Sequence, residues 1–144
     1  MPETPNHRLT SQTKLMLAAE KGDTADVKML LNKKVNKEAK DKYGQTALML
    51  AAREGHTAVV KILLNKKANK NVKDKYGQTA LMLAAREDHT AVVKMLLNKK
   101  ANKNVKDDKG MTTLMLAAEK GHTAVVEKLL SKKADKEDKA TEGL

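Results

Sequence analysis

The sequence predicts an all-α-dominated fold, a solenoid of paired antiparallel helices with β-turn fingers along one side. Three observations predict it. First, segments 41–73 and 74–106 are each 33 residues long and differ only by Gly55 against Asp88 and Ile62 against Met95. Self-similarity at a fixed period of this size is the signature of stacked repeats. Second, apolar residues recur at helical spacing in two short runs per unit, with a break between them. Third, the composition is 40% hydrophobic but 1% aromatic, with Tyr43 and Tyr76 as the only aromatic residues. A core without Phe or Trp must be built from Leu, Val, Ile, Met and Ala, which suits thin layers of short helices.

The same register runs backward over 8–40 and forward over 107–139. Four units therefore cover residues 8 to 139, with short polar ends at 1–7 and 140–144. A length of 144 residues suits one domain.

Each unit has one internal grammar. Asp41-Lys42-Tyr43-Gly44 reads as a turn, with Asp first and Gly fourth. Thr46 follows as a helix cap, and Thr13, Thr79 and Thr112 hold the equivalent place. Ala47 to Glu54 is a run of strong helix formers. Gly55 stops it, at a place that suits a left-handed residue. His56-Thr57 restarts the chain, and Ala58 to Leu64 carries apolar residues at helical spacing. Asn65-Lys66-Lys67 ends that helix, and a polar stretch over 68–73 leads to the next turn.

These residues resemble the ankyrin repeat. Its pattern has a turn with Asp and Gly, a Thr-Pro-Leu-His tetrapeptide, Ala-Ala, Gly-His, Val-x-x-Leu-Leu and Gly-Ala. The tetrapeptide stands here as Thr46-Ala47-Leu48-Met49, Thr79-Ala80-Leu81-Met82, Thr112-Thr113-Leu114-Met115 and Thr13-Lys14-Leu15-Met16. Gly55-His56 and Gly121-His122 match directly. The resemblance spans nearly the whole chain and implies an ankyrin repeat solenoid. Several residues depart from the pattern. The family His is Met in every unit, so packing replaces any hydrogen bond it would make. The Gly after the second helix is Lys34, Lys67, Lys100 or Lys133, at a cost of about 1 kcal/mol each if φ stays positive. The apolar residue three places on is Lys37, Lys70, Lys103 or Lys136, expected to snorkel along the loop. Asp88 replaces the Gly between the helices of the third unit.

Outer repeats need polar outer faces. Across the units one helix position reads Asp26, Val59, Val92, Val125, and three places on it reads Met29, Ile62, Met95, Lys128. The first position is expected to face the preceding repeat and the second the following one, with Asp26 and Lys128 on the open ends. The first unit has Arg8-Leu9-Thr10-Ser11 in place of a turn. The expectation is a self-contained array of four, capped at both ends.

The sequence excludes several chemistries. There is no Cys, hence no disulfide, thiolate site or Cys nucleophile. No apolar run approaches the ~18 residues of a membrane span, and the first residues lack the pattern of a secretory signal. Cytoplasmic is the default expectation. His56, His89 and His122 recur at one position, but helices pack ~8–10 Å apart whereas zinc ligands sit ~2 Å from the metal. They are expected to help start the second helix. Asp107-Asp108 and Glu137-Asp138 read as solvated pairs with no nucleophile beside them. No phosphate loop, HExxH or GxSxG occurs. No enzyme, cofactor or metal is expected.

The net charge is +11, and only Arg8, Arg53 and Arg86 among the basic residues are Arg. By unit the charge is +4, +5, +4 and 0. Lys66-Lys67, Lys70 and Lys73 recur as Lys99-Lys100, Lys103 and Lys106, so stacking builds lysine ladders. Two readings stand: a stripe for a polyanion, or lysines favoured at helix C-termini.

The resemblance implies a concave face built from the turn tips and the front of each first helix. Its expected partner-binding residues are Lys42, Tyr43, Gln45, Arg53 and Glu54; Lys75, Tyr76, Gln78, Arg86 and Glu87; and Asp108, Lys109, Met111, Glu119 and Lys120. Exposed Tyr and Arg often dominate interfaces. The function expected is non-enzymatic binding of another protein, particularly an acidic one, by a monomer acting as adaptor, inhibitor or immunity-type protein. Binding of a polyanion or nucleic acid through the lysines is the runner-up. A third reading is an engineered or consensus-like scaffold, since the middle units are nearly identical.

Overall fold

The computed structural model describes residues 10–131. The helices are α1 (Ser11–Lys21), α2 (Thr24–Asn32), α3 (Ala47–Glu54), α4 (Thr57–Asn65), α5 (Ala80–Arg86), α6 (Thr90–Asn98) and α7 (Thr113–Lys120). Residues 123–131 are also helical and are labelled α8. No strand occurs among the described residues. Each odd helix packs on the next odd helix, α1 on α3, α3 on α5 and α5 on α7; α2, α4 and α6 form the second layer. The ankyrin solenoid expected from the repeat is the fold. The repeat limits at 8 and 139, the polar ends, Lys133, Lys136 and Glu137-Asp138 lie outside the described residues.

The core lies between repeats. Leu48, Met49, Val59, Val60 and Leu63 of the second unit, and Leu81, Met82, Val92, Val93 and Leu96 of the third, are essentially inaccessible. Met therefore fills the place of the family His by packing, as expected, in the two middle units; Met115 in the fourth is exposed.

Thr46, Thr79 and Thr112 cap α3, α5 and α7, each accepting a bond from the backbone N–H three residues on. Thr13 does not cap α1. The first unit has no turn to hold its chain extended, so α1 begins one turn earlier and Thr10 is the cap, accepting from the Thr13 N–H at 3.1 Å.

Gly55 closes α3 at φ 76°. A Cβ there would lie 2.6 Å from the His89 ring, so the site needs glycine for both backbone and space. The lysines that replace Gly after the second helices keep the left-handed conformation: φ is 61° at Lys34, 68° at Lys67 and 67° at Lys100. Asp88 does the same at φ 62°.

Asp26 is exposed on the N-terminal face of the described residues while Val59, Val92 and Val125 are buried against the preceding repeat, in agreement with the sequence. The companion expectation is corrected. Met29 is 46% exposed, on the same end as Asp26, and Lys128 is half-buried rather than on the C-terminal end. The reason is helical geometry: residues three apart share a face, so both positions meet the same neighbour. The residues that meet the following repeat are instead Leu31, Leu64 and Leu97, all largely buried, whose equivalent Leu130 is 51% exposed. Leu114 and Met115 are exposed beside it. The C-terminal face of the fourth unit, among the described residues, is therefore apolar rather than capped by Lys128.

Candidate concave binding face

Each finger is organised by its first aspartate. The Asp41 carboxylate accepts from the backbone N–H of Tyr43 at 2.8 Å and of Gln45 at 2.9 Å. The Gly44 N–H donates to the Asp41 carbonyl and the Asp41 N–H to the Gln45 carbonyl. Asp74 and Asp107 repeat the carboxylate bonds toward Tyr76 and Gln78, and toward Lys109 and Met111. Fingers are joined by main chain: Lys75 N–H to the Tyr43 carbonyl at 2.9 Å, and Asp108 N–H to the Tyr76 carbonyl at 3.0 Å. Asp107 is thus a turn organiser, as the solvated-pair reading of Asp107-Asp108 did not anticipate.

This ladder sets Tyr43 and Tyr76 side by side, 42% and 52% exposed. The ammonium of Lys75 lies 5.2 Å from the centre of the Tyr43 ring and 5.5 Å from that of Tyr76, and Lys42 lies 5.2 Å from Tyr43. The rings and ammonium groups form one cationic-aromatic strip, each contact worth about 0.5–1 kcal/mol at exposed sites. On the third finger Asp108 and Lys109 are exposed and Met111 half-buried. Glu54, Glu87, Glu119 and Lys120 are exposed at the ends of their first helices.

Gln45 and Gln78 are a correction. Both are only 8% exposed, so they offer little to a partner. Gln45 donates to Asp74 of the next finger at 3.4 Å and accepts from Arg53 at 3.1 Å. Arg53 in turn pairs with Glu20 of the first repeat at 2.8 Å and with Glu54 at 2.9 Å. With the Gln78 amide oxygen turned toward it, Arg86 donates to that oxygen through Nη1 at 2.9 Å. Both arginines therefore brace finger to helix, and Arg53 also braces repeat to repeat. Such long-range pairs, 29 and 33 residues apart, have no local sequence signal beyond the repeat itself.

His56 and His122 occupy the start of their helices, but His56 makes no capping bond. Instead His56 Nε2 bonds the Glu20 carbonyl at 2.8 Å, and His122 Nε2 bonds the Arg86 carbonyl at 2.9 Å. Each ties its repeat to the C-terminal end of the first helix before it. His122 Nδ1 also lies 3.8 Å from the Asp88 carboxylate. No group of three or more His, Cys, Asp or Glu that could hold a metal occurs among the described residues.

The lysine ladder lies on the opposite loops. Lys33, Lys66 and Lys99 are exposed at the C-caps of α2, α4 and α6, with Lys34, Lys67 and Lys100 exposed beside them. Lys70 and Lys103 are half-buried, and Lys103 Nζ donates to the Leu129 carbonyl of the next repeat at 3.1 Å.

A family model described as ankyrin repeats (three copies) matches residues 3–74 and 66–140. No curated protein matches the chain. No helix among the described residues is long and apolar enough to cross a membrane.

Proposed function

The chain belongs to the ankyrin repeat family, whose members are in general non-enzymatic protein–protein interaction modules, and we propose that it binds a partner protein through its concave finger face. One observation carries the reading: the only two aromatic side chains stand exposed on adjacent, hydrogen-bonded fingers. A chain that spends its tyrosines outside its core presents the amphipathic, rigid contact area that interfaces use. Lys42, Lys75 and Lys109 flank them and favour an acidic partner. Occlusion or tethering of that partner corresponds to an inhibitor, immunity-type or adaptor role.

The test uses tagged wild-type chain, Tyr43→Ala/Tyr76→Ala, and Lys28→Ala/Lys61→Ala/Lys94→Ala on the second helices as baits in an extract of the source cell. The captured protein is then titrated against each purified bait. The tyrosine variant is expected to lose about 2 kcal/mol or more, near 30-fold in Kd, and the lysine control almost nothing. Loss with the control and not with the tyrosines would place the working face on the convex side. Arg53 and Arg86 stay intact in this test, because their removal would break the braces as well as the surface.

A second reading rests on the exposed pairs Lys33-Lys34, Lys66-Lys67 and Lys99-Lys100, a regular cationic edge suited to a polyanion.

A further inference from the structure

The two end faces of the described residues carry the two halves of the contact that joins the repeats. On the C-terminal end Leu114, Met115 and Leu130 are exposed. Their equivalents Leu48, Met49 and Leu64, and Leu81, Met82 and Leu97, are buried by the repeat that follows. By the repeat register the residues set over them are Leu83, Val92 and Met95 for the second unit, and Leu116, Val125 and the half-buried Lys128 for the third. On the N-terminal end the same places are Leu17, Asp26 and Met29, with Leu17 and Met29 exposed. This end keeps two of the three apolar anchors. It departs at three places. Lys14 replaces the buried Ala47, Ala80 and Thr113, Asp23 replaces the bridging histidines, and Asp26 replaces the buried valines.

We propose that these end faces are a latent head-to-tail interface between copies of this chain, and that Lys14, Asp23 and Asp26 are the residues that hold it apart. Stacking the first repeat on a fourth would seat Lys14 in a space that fits Ala or Thr. It would set the Asp26 carboxylate among Leu114, Met115 and Leu130, where an unpaired charge is costly. It would also set the Asp23 carboxylate toward a helix-end carbonyl, where interior units present a histidine nitrogen. Lys14, Lys21, Asp23 and Asp26 sit together around Leu17 and Met29 on that end. The contact is heterologous, so once permitted it does not close at a dimer but continues as a filament.

The experiment is mass by light scattering across a concentration series for the full chain. Wild type is expected to stay at 15.8 kDa. Lys14→Ala/Asp23→His/Asp26→Val, which restores the interior residue types, is expected to rise past the dimer mass as concentration increases. Adding Leu130→Lys to that variant should return it to monomer. Wild type mixed into the triple variant should shorten the assemblies, since its C-terminal face accepts a copy while its N-terminal face cannot dock. A folded triple variant that stays monomeric, assemblies that survive Leu130→Lys, or a wild type that itself assembles would each overturn the proposal. If the triple variant loses its helical circular dichroism, Asp26→Val alone carries the test and must associate at high concentration.

Discussion

One helix position shows how far a residue's cost depends on its place in the stack. Val59 is wholly buried between repeats, whereas its equivalent Asp26 stands in solvent. Val59→Asp is expected to cost on the order of 3–5 kcal/mol, as an unpaired buried charge does. Dilute Asp26→Val is expected to shift the melting temperature little at neutral pH; equal shifts in thermal denaturation would defeat the assignment of the stacking face. The hydrogen bond and charge of Asp23 raise the Asp26 carboxyl above its ordinary value, against a smaller lowering by Lys21. Folding then favours protonated Asp26. Its stabilising contribution is present below the unfolded carboxylate range and is lost as pH rises through the raised folded value. The advantage of Asp26→Val over wild type should accordingly grow as pH climbs through the acid range. A second residue argues the same way from a hydroxyl. Thr113 Oγ1 is buried with no partner among the described residues, where the middle repeats carry Ala47 and Ala80. Thr113→Ala removes that orphan and is expected to stabilise by about 1 kcal/mol, read as a raised urea midpoint at unchanged slope.

Helices and turns are legible in the sequence wherever the signal is local. The Asp-to-Gly turn and the threonine caps of α3, α5 and α7 each follow from residues within four positions of one another. Thr10 in place of Thr13 is not legible by analogy with the other units, because the cap depends on what precedes it, and the first unit lacks the turn. Met29 and Lys128 fall to the wrong neighbour when a charge at one end is read without the three-residue helical period. In the candidate site the tyrosines and their lysine neighbours can be placed from turn position alone. The burial of Gln45 and Gln78 cannot, since it is created by Asp74, Arg53 and Arg86 arriving from other elements. The helix ends give a sharp prediction. Lys34, Lys67 and Lys100 hold positive φ with no compensating side-chain bond among the described residues. Lys34→Gly, Lys67→Gly and Lys100→Gly are each expected to gain about 1 kcal/mol, or roughly 2–4 °C in melting temperature for a chain of this size. A lowered melting temperature for all three would mean that the lysine stems pack better than their backbone suffers. Asp88→Gly should gain less, because Asp tolerates the left-handed region better and its carboxylate lies near His122.

At the scale of the molecule, near-identity of the middle repeats divides the surface into two fields. The fingers carry the tyrosines, and the loops after the second helices carry the exposed lysine pairs. Both run along the stack, so a partner that follows one meets equal surfaces on the second and third units, and distinctive ones only at the ends. The tyrosine strip has rigid aromatic area on a hydrogen-bonded frame; the lysine edge has charge without aromatic interleaving and, among the described residues, no arginine beside it. Phosphate contacts alone carry no sequence information, whereas base-edge recognition favours the bidentate fork of Arg. If the lysine edge meets nucleic acid, the expected behaviour is counterion release: weak, sequence-blind binding whose affinity falls steeply as salt rises from about 50 to 200 mM. A salt series by fluorescence anisotropy, with two duplexes of unlike sequence and one single strand, measures this directly. Removing Lys66 and Lys67, or Lys99 and Lys100, should flatten the slope of log affinity against log salt by somewhat under one for each phosphate left unneutralised, while Tyr43→Ala/Tyr76→Ala leaves it unchanged. Tight and selective binding that persists at about 0.15 M salt, and that fails once those lysines are removed, would instead make the polyanion reading the principal one and leave the tyrosine strip without its proposed role.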